Sequence, residues 1–117
     1  MSIQNAFASV AASSLDVSIE WYEKLFDQRA SRPMPEVAEW QFERGGGVQV
    51  YHLAERAGAG SMTLAVNDLE AQVEHLKELG IDTSHTTSSD KVRTVMITDP
   101  DGNHIALAEA LMPGVIR

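Results

Sequence analysis

The chain has 117 residues, 44% of them hydrophobic, which suits a single domain with one modest core. Its formal net charge of −8 disfavours nucleic-acid binding, which requires clustered lysines and arginines, and favours attraction of cations. The sequence has no cysteine, no signal-peptide pattern and no apolar run near the roughly 20 residues that span a bilayer, so we predict a cytoplasmic protein with no nucleic-acid or membrane partner.

The first half of the chain predicts a strand, a helix and then further short strands. Alternating side chains predict a strand over residues 5–12, and apolar residues at helical spacing predict a helix that begins at Leu15 after a serine or aspartate cap. Two prolines limit residues 31–36 to a short edge strand or a loop. Strict alternation predicts a strand over residues 39–44, and residues 48–53 return as its partner after a glycine turn.

The second half repeats this order of elements. Residues 54–60 have the composition of a linker, and residues 61–66 predict the next strand. An asparagine or aspartate then caps a helix that extends to Leu79, and Gly80 supplies its stop signal. Residues 81–87 predict a weak strand.

A tight turn closes the second half. The segment from Asp99 to Asn103, with the sequence Asp-Pro-Asp-Gly-Asn, separates the β-patterned residues 92–98 from residues 104–108. Its proline presets φ for a turn, and Gly102 permits a positive φ. The pattern predicts a hairpin between adjacent antiparallel strands.

The two halves are an internal repeat. A shift of 54 positions places apolar residues on apolar residues throughout: Val10 on Leu64, Leu15 on Leu69, Ile19 on Val73, Tyr22 on Leu76, and Leu25 on Leu79. We therefore predict one domain over residues 1–117, with a first module of about residues 3–54 and a second of about residues 61–110. The helices would cover one face of each sheet and leave the other face for a ligand or a partner.

The order of these motifs resembles the vicinal oxygen chelate superfamily, which includes glyoxalase I, bleomycin-resistance proteins, fosfomycin-modifying enzymes and extradiol dioxygenases. The resemblance rests on Ser14 to Tyr22, on Val66-Asn67-Asp68-Leu69 and on Asp99 to Ile105, and it covers about residues 5–109. It implies an α+β fold in which two βαβββ modules form an open, curved mixed sheet. This half-barrel carries its helices on the outer face and its ligand on the concave side.

Many members of that superfamily hold a divalent ion through His, Gln and Glu side chains, and the ion polarises vicinal oxygens of the substrate. By resemblance, the four ligand positions fall at Phe7, Gln49, Ser61 and Ala106. Gln49 alone among them is a residue that supplies metal ligands in the superfamily. Because a divalent site needs several carboxylate or imidazole ligands, we expect no metal and no other cofactor.

Other residues are candidates for ligand contact. Among the histidines, His104 lies two positions before Ala106 on the same predicted strand, so both side chains are expected on the concave face. Aromatic side chains favour either core packing or a stacking floor for a planar or cationic ligand, and Glu39 or Glu43 would attract a cation if it lined the cleft. Arg93 would instead pair with an anionic substrate. The predicted ligand-binding residues are Phe7, Gln49, Tyr51, Ser61, Arg93 and His104.

The leading hypothesis is a metal-free binding protein of the glyoxalase/bleomycin-resistance type that sequesters a cationic or aromatic small molecule without turnover. The resemblance implies a homodimer, because small members complete the concave site across subunits. One alternative is a divergent lyase or isomerase with a relocated metal held by His52, His104 and Glu109. Another is a non-catalytic interaction module whose apolar groove buries a peptide or a second subunit.

Overall fold

Each half of the chain forms a strand, a helix and three further strands in the computed structural model, which describes residues 2–112. The first module consists of β1 (Phe7–Ala12), α1 (Leu15–Phe26), β2 (Ser31–Met34), β3 (Val37–Gln41) and β4 (Gly47–His52). The second consists of β5 (Ser61–Ala65), α2 (Leu69–Glu78), β6 (Thr86–Ser88), β7 (Val92–Thr98) and β8 (His104–Ala110). Neither described helix has the length and apolar composition to cross a membrane.

The strands form two four-stranded mixed sheets with the same topology. The first sheet has the order β1-β4-β3-β2 and the second β5-β8-β7-β6. In both, the first and last strands of the module pair in parallel, and the other pairs are antiparallel. β1 also contacts β5, so the two sheets meet at their first strands. The predicted α+β fold with two βαβββ modules is confirmed.

Both helices pack on the outer face of the sheets through the apolar positions of the repeat. Ser14 caps α1 and Asp68 caps α2, as the turn chemistry of serine and aspartate favours. Tyr22 and Leu76, which are equivalent in the repeat, are both fully buried. The core between helices and strands contains Val10, Trp40, Val48, Val50, Val95, Ile97, Ile105 and Leu107. The opposite, concave face of the sheets carries no helix.

Two predicted strands differ from the structure. The observed strand β6 spans Thr86–Ser88, so only the last two residues of the predicted strand 81–87 belong to it. Before it, the Asp82 side chain accepts a hydrogen bond from the Ser84 amide, which favours a turn. β3 spans Val37–Gln41 instead of residues 39–44. Phe42 already belongs to the turn, since its amide donates to the carbonyl of Gly46.

The turn between β7 and β8 forms the predicted hairpin and also connects the two modules. Asn103 is fully buried, and its side chain makes four hydrogen bonds. Its Oδ1 accepts from the amides of Gly58 and Gly60 at 3.1 and 2.9 Å. Its Nδ2 donates to the carbonyl of Ala11 at 2.9 Å and to Asp99 at 2.8 Å. Asn103 therefore ties β8, the linker and β1 together.

Asp99 extends this connection to α1. Its Oδ1 accepts from the amides of Asp101 and Asn103, both at 2.9 Å, and its Oδ2 accepts from the Tyr22 hydroxyl at 2.8 Å. Burial raises the pKa of Tyr22, and the neighbouring carboxylate of Asp99 raises it further, so the hydroxyl stays protonated and remains a donor. Asp101 in the same turn accepts from the Ser13 hydroxyl. The buried polar cluster of Tyr22, Asp99 and Asn103 is named the module junction.

The module junction makes a prediction about stability. Asn103→Ala would leave the buried amides of Gly58 and Gly60 and the carbonyl of Ala11 without their partners. We expect the free energy of unfolding to fall by about 3 kcal/mol in urea denaturation. The control Asn67→Ala changes an exposed asparagine and should cost less than about 0.5 kcal/mol. Equal effects of the two substitutions would contradict the assigned role of Asn103.

Tyr22→Phe tests the link to α1 separately. This substitution keeps the buried ring but removes one donor to Asp99, while the Asn103 donor to the same oxygen remains. We expect a loss of about 1.5 kcal/mol, smaller than that of Asn103→Ala, in the same denaturation measurement. A neutral Tyr22→Phe would show that the hydroxyl does not stabilise the contact between α1 and the turn.

Candidate ligand-binding site on the concave face

The strand register of the first module arranges the concave face in three rows. Side chains alternate along a strand, so residues opposite one another across β1, β4 and β3 share a face. In the middle row, Ser9 lies opposite Gln49, and Gln49 lies opposite Glu39. The flanking rows contain Phe7, Gly47 and Gln41 on one side and Ala11, Tyr51 and Val37 on the other.

The middle row forms a chain of side-chain hydrogen bonds. The Ser9 hydroxyl donates to Gln49 Oε1 at 3.3 Å, and Gln49 Nε2 donates to Glu39 Oε2 at 2.9 Å. Gln41 Nε2 donates to the other oxygen, Glu39 Oε1, at 3.1 Å. Each carboxylate oxygen of Glu39 thus receives one donor from a neutral amide. We call Ser9, Gln49, Glu39 and Gln41 the polar ladder.

Glu39 keeps its negative charge in this arrangement. The hydrogen bonds from Gln49 and then Gln41 lower the pKa of its carboxyl. None of the four ion pairs found within residues 2–112 includes Glu39. The structure therefore places an ionised, half-buried carboxylate on the concave face, whereas Glu43 lies exposed in the turn after β3. The sequence alone does not show that Glu39 shares a face with Gln49, because this depends on the register between β3 and β4.

Phe7 lies close over the backbone of β4. A Cβ atom added at Gly47 would stand 2.5 Å from Phe7 Cε2 and 2.3 Å from the carbonyl oxygen of Trp40. Glycine at this position therefore allows the ring to lie against the sheet. The half-buried Phe7 and Tyr51 occupy the rows on either side of the polar ladder.

The second module presents smaller side chains on its concave face. Ser61, Thr63 and Ala65 lie opposite residues 104, 106 and 108 of β8, two of which are alanines. Met96 lies opposite Ala106 and is 39% exposed. This part of the face carries small hydroxyl side chains, alanines and Met96 and, unlike the polar ladder of the first module, no carboxylate in the register of β5 and β8.

His104 begins β8 on the concave side and is exposed. It lies opposite Thr98, and both residues line a cavity of about 560 Å³. Met96, Asp82 and His85 contribute to the same cavity, which is formed with the loop after α2. The structure thus places His104 on the concave side together with Phe7, Gln49, Tyr51 and Ser61.

Arg93 was expected to contact the ligand and lies elsewhere. It shares the parity of Val95 and Ile97, which are buried beneath α2, so its side chain is on the helix side of β7. There its Nη2 stands 3.5 Å from Glu109 Oε2, and Glu109 Oε1 accepts from the Leu69 amide at the start of α2 at 2.7 Å. The alternation of β7 and the opposite carboxylate of Glu109 account for this position, in a groove of about 800 Å³ beside α2.

The three residues considered for a relocated metal do not converge. His104 and Glu109 lie five positions apart on β8, which places them on opposite faces of the sheet. Glu109 is already engaged by Arg93 and by the Leu69 amide. Within residues 2–112, no group of three or more His, Cys, Asp or Glu side chains is arranged to hold a metal ion.

The sequence and the fold can now be compared with known proteins. The sequence profile of the Glyoxalase/Bleomycin resistance protein/Dioxygenase superfamily matches residues 4–107. The chain belongs to this superfamily. A glyoxalase/bleomycin resistance protein from Catenulispora acidiphila is 32% identical, with 91% of this chain and 97% of that chain covered and a TM-score of 0.82. A comparison with curated proteins finds no match.

Two more distant structures share the fold. TnmS3, an antibiotic-binding protein from a Streptomyces species, is 19% identical with a TM-score of 0.80, and 94% of this chain and 98% of that chain are covered. A lactoylglutathione lyase from Agrobacterium tumefaciens is 17% identical with a TM-score of 0.78, and the covered shares are 97% and 98%. At these identities the likeness shows the fold alone.

The four positions that hold a divalent ion in metal-dependent members do not fit a metal in this chain. Phe7, Gln49 and Ser61 lie on the concave face, and Ala106 lies opposite Thr63 on the same face. An aromatic ring and a methyl group offer no electron pair, a serine hydroxyl is a weak ligand, and the Gln49 oxygen already accepts from Ser9. The donor set for a divalent ion is therefore absent from these positions.

The polar ladder makes a prediction about protonation. Gln49→Leu removes the donor that contributes most to lowering the Glu39 pKa, so that pKa should rise towards its ordinary value. Carboxyl-carbon NMR during an acid titration measures it directly. Gln4→Leu, which changes an exposed glutamine before β1, should leave the Glu39 titration unchanged. An unaltered Glu39 pKa in Gln49→Leu would show that the ladder does not form in solution.

Proposed function

We propose that the chain binds a small organic molecule on the concave face, without a metal ion and without chemical turnover. This proposal rests on the residues that occupy the four family ligand positions, which are Phe7, Gln49, Ser61 and Ala106. A reaction that depends on an ion to polarise vicinal oxygens has no residues to hold that ion here. The superfamily fold leaves the same face available for binding alone.

The neighbours in structure illustrate both functions on one fold. TnmS3 is an antibiotic-binding protein, and the Agrobacterium tumefaciens protein is a lactoylglutathione lyase. The concave face described above supports the first kind of function for this chain, because it offers aromatic rings, hydroxyls and a hydrogen-bonded carboxylate, and residues 2–112 contain no cluster of ligands for a metal. We propose sequestration of the ligand as the biological role.

We propose that the working unit is a homodimer. A single chain has dimensions of 42 × 41 × 24 Å, and its concave face is open along one side. A second copy placed over that side would enclose a ligand more completely, which small-molecule sites generally require. Light scattering coupled to size-exclusion chromatography should give twice the mass of 12.8 kDa. A monomeric mass at micromolar concentration would contradict this proposal.

The metal-independent character can be tested on protein purified without a histidine tag. Elemental analysis should find zinc, nickel, manganese and iron well below one ion per chain. The thermal midpoint should be the same after EDTA treatment and after addition of each ion. An ion that did bind would raise it measurably, since a ligand present at 100 times its dissociation constant adds about 2.7 kcal/mol of stability. Stoichiometric metal together with a midpoint lowered by EDTA would overturn the proposed function.

Binding without turnover has its own test. A thermal-shift screen against cationic antibiotics, aromatic metabolites and 2-oxoaldehyde adducts should yield compounds that raise the midpoint. Mass spectrometry of each such compound after prolonged incubation should recover it unchanged. Conversion of a 2-oxoaldehyde adduct to a hydroxy-acid thioester would instead establish a lyase.

A further inference from the structure

We infer that the ligand carries a cationic group, and that this group binds Glu39 of the polar ladder between the rows of Phe7 and Tyr51. This inference rests on the proposed function, because it specifies the class of molecule that the concave face takes. It also excludes a class, since molecules whose only charge is a carboxylate would meet a negative charge in the same place.

The first argument is the unbalanced charge of Glu39. Both of its oxygens accept from neutral amides, those of Gln49 and Gln41, and a carboxylate oxygen has room for a second donor. The ion pairs of residues 2–112 do not include Glu39. A hydrogen bond to a charged donor is stronger than one to a neutral amide, and Glu39 has only neutral donors in residues 2–112. An ammonium or guanidinium group on a ligand would supply both the missing charge and the missing donors.

The ladder also holds the carboxylate in one orientation. The amide of Gln49 is fixed at both ends, by the Ser9 hydroxyl on its oxygen and by Glu39 on its nitrogen. Such a preorganised carboxylate loses less side-chain entropy when a ligand binds than a freely rotating surface glutamate does. The hydrogen bonds from Gln49 and Gln41 lower the Glu39 pKa, so the charge persists under mildly acidic conditions.

The second argument is the aromatic residues beside the ladder. Tyr51 stands on β4, the strand beside Glu39, and the ring of Phe7 lies over Gly47 of the same strand, at the other side of Gln49. Aromatic faces attract cations at distances up to about 6 Å from the ring centroid. A cationic group that extends from Glu39 towards β4 would therefore approach both rings.

The second module suggests where the rest of the ligand lies. Its concave face offers Thr63, Ala106 and Met96 and has no carboxylate in the register of β5 and β8. A neutral portion of the ligand would contact this surface without desolvating a charge. The combined face fits a cation whose charged group lies over the first module and whose neutral portion lies over the second.

Three probes of the same size separate charge from apolar contact. These are 1-naphthylmethylamine, which is cationic, 1-naphthalenemethanol, which is neutral, and 1-naphthoate, which is anionic. NMR titration of the full chain should show the amine binding about tenfold more tightly than the alcohol, and the carboxylate binding more weakly than either. The shifted resonances should include those of Gln49 and Tyr51.

Two matched variants assign the preference to one residue. Glu39→Gln should bring the affinity for the amine down to that for the alcohol, while the affinity for the alcohol stays within twofold. Glu43→Gln removes the same charge from the exposed turn and should preserve the tenfold preference, which controls for the net charge of −8. Phe7→Leu should reduce the preference about threefold through loss of a ring.

Several results would overturn the inference. An equal loss of preference in Glu39→Gln and Glu43→Gln would indicate long-range attraction only. Absence of amine binding would refute the cationic class, and a change of oligomeric mass in Glu39→Gln would assign Glu39 to a contact between two copies of the chain instead of to a ligand. Binding of the alcohol without any preference for the amine would refute the cationic class yet leave the proposed function intact, whereas a bound stoichiometric metal would refute the proposed function itself.

Discussion

The position of one module relative to the other depends on the buried hydrogen bonds of the module junction. The two sheets meet along β1 and β5, and these strands do not belong to one hydrogen-bonded sheet. Asn103 and Asp99 supply the polar contacts that the two sheets lack at this boundary, since they bond to β1, to the linker and to α1. Because buried polar groups are costly when unpaired, the same contacts specify one relative position of the modules.

That position makes the concave face a single surface. The polar ladder belongs to the first module, and the second module contributes small side chains such as Thr63 and Ala106 together with Met96. The repeat preserves the helix-facing residues, as Tyr22 and Leu76 show, because both helices must pack on a sheet in the same way. The concave residues are free of that requirement, and there the two modules differ: Gln49 and Glu39 in one, Ala106 and Met96 in the other. The two modules therefore differ most on the side that faces away from the helices.

Much of the fold follows from local patterns in the chain. Helical spacing placed both helices, the serine and aspartate caps located their starts, and the Asp-Pro-Asp-Gly-Asn turn located the last hairpin. Parity along each strand also placed Phe7, Gln49, Tyr51 and Ser61 on the concave face. Arg93 lies instead on the helix side with Val95 and Ile97, a face that the alternation of residues 92–98 already indicates. Its partner Glu109 is sixteen residues away in sequence, and the pairing of β7 with β8 brings the two together.

By itself, therefore, the sequence determined the elements, their duplicated order and the residue types at the four family ligand positions, since periodicity, turn residues and side-chain chemistry act over a few positions. The tertiary structure decided which side chains meet. The contact of Glu39 with Gln49 depends on the register between β3 and β4, and the contact of Tyr22 with Asp99 depends on the packing of one module against the other. Such contacts arise from the cooperative burial of the whole core, and a window of neighbouring residues does not contain that information.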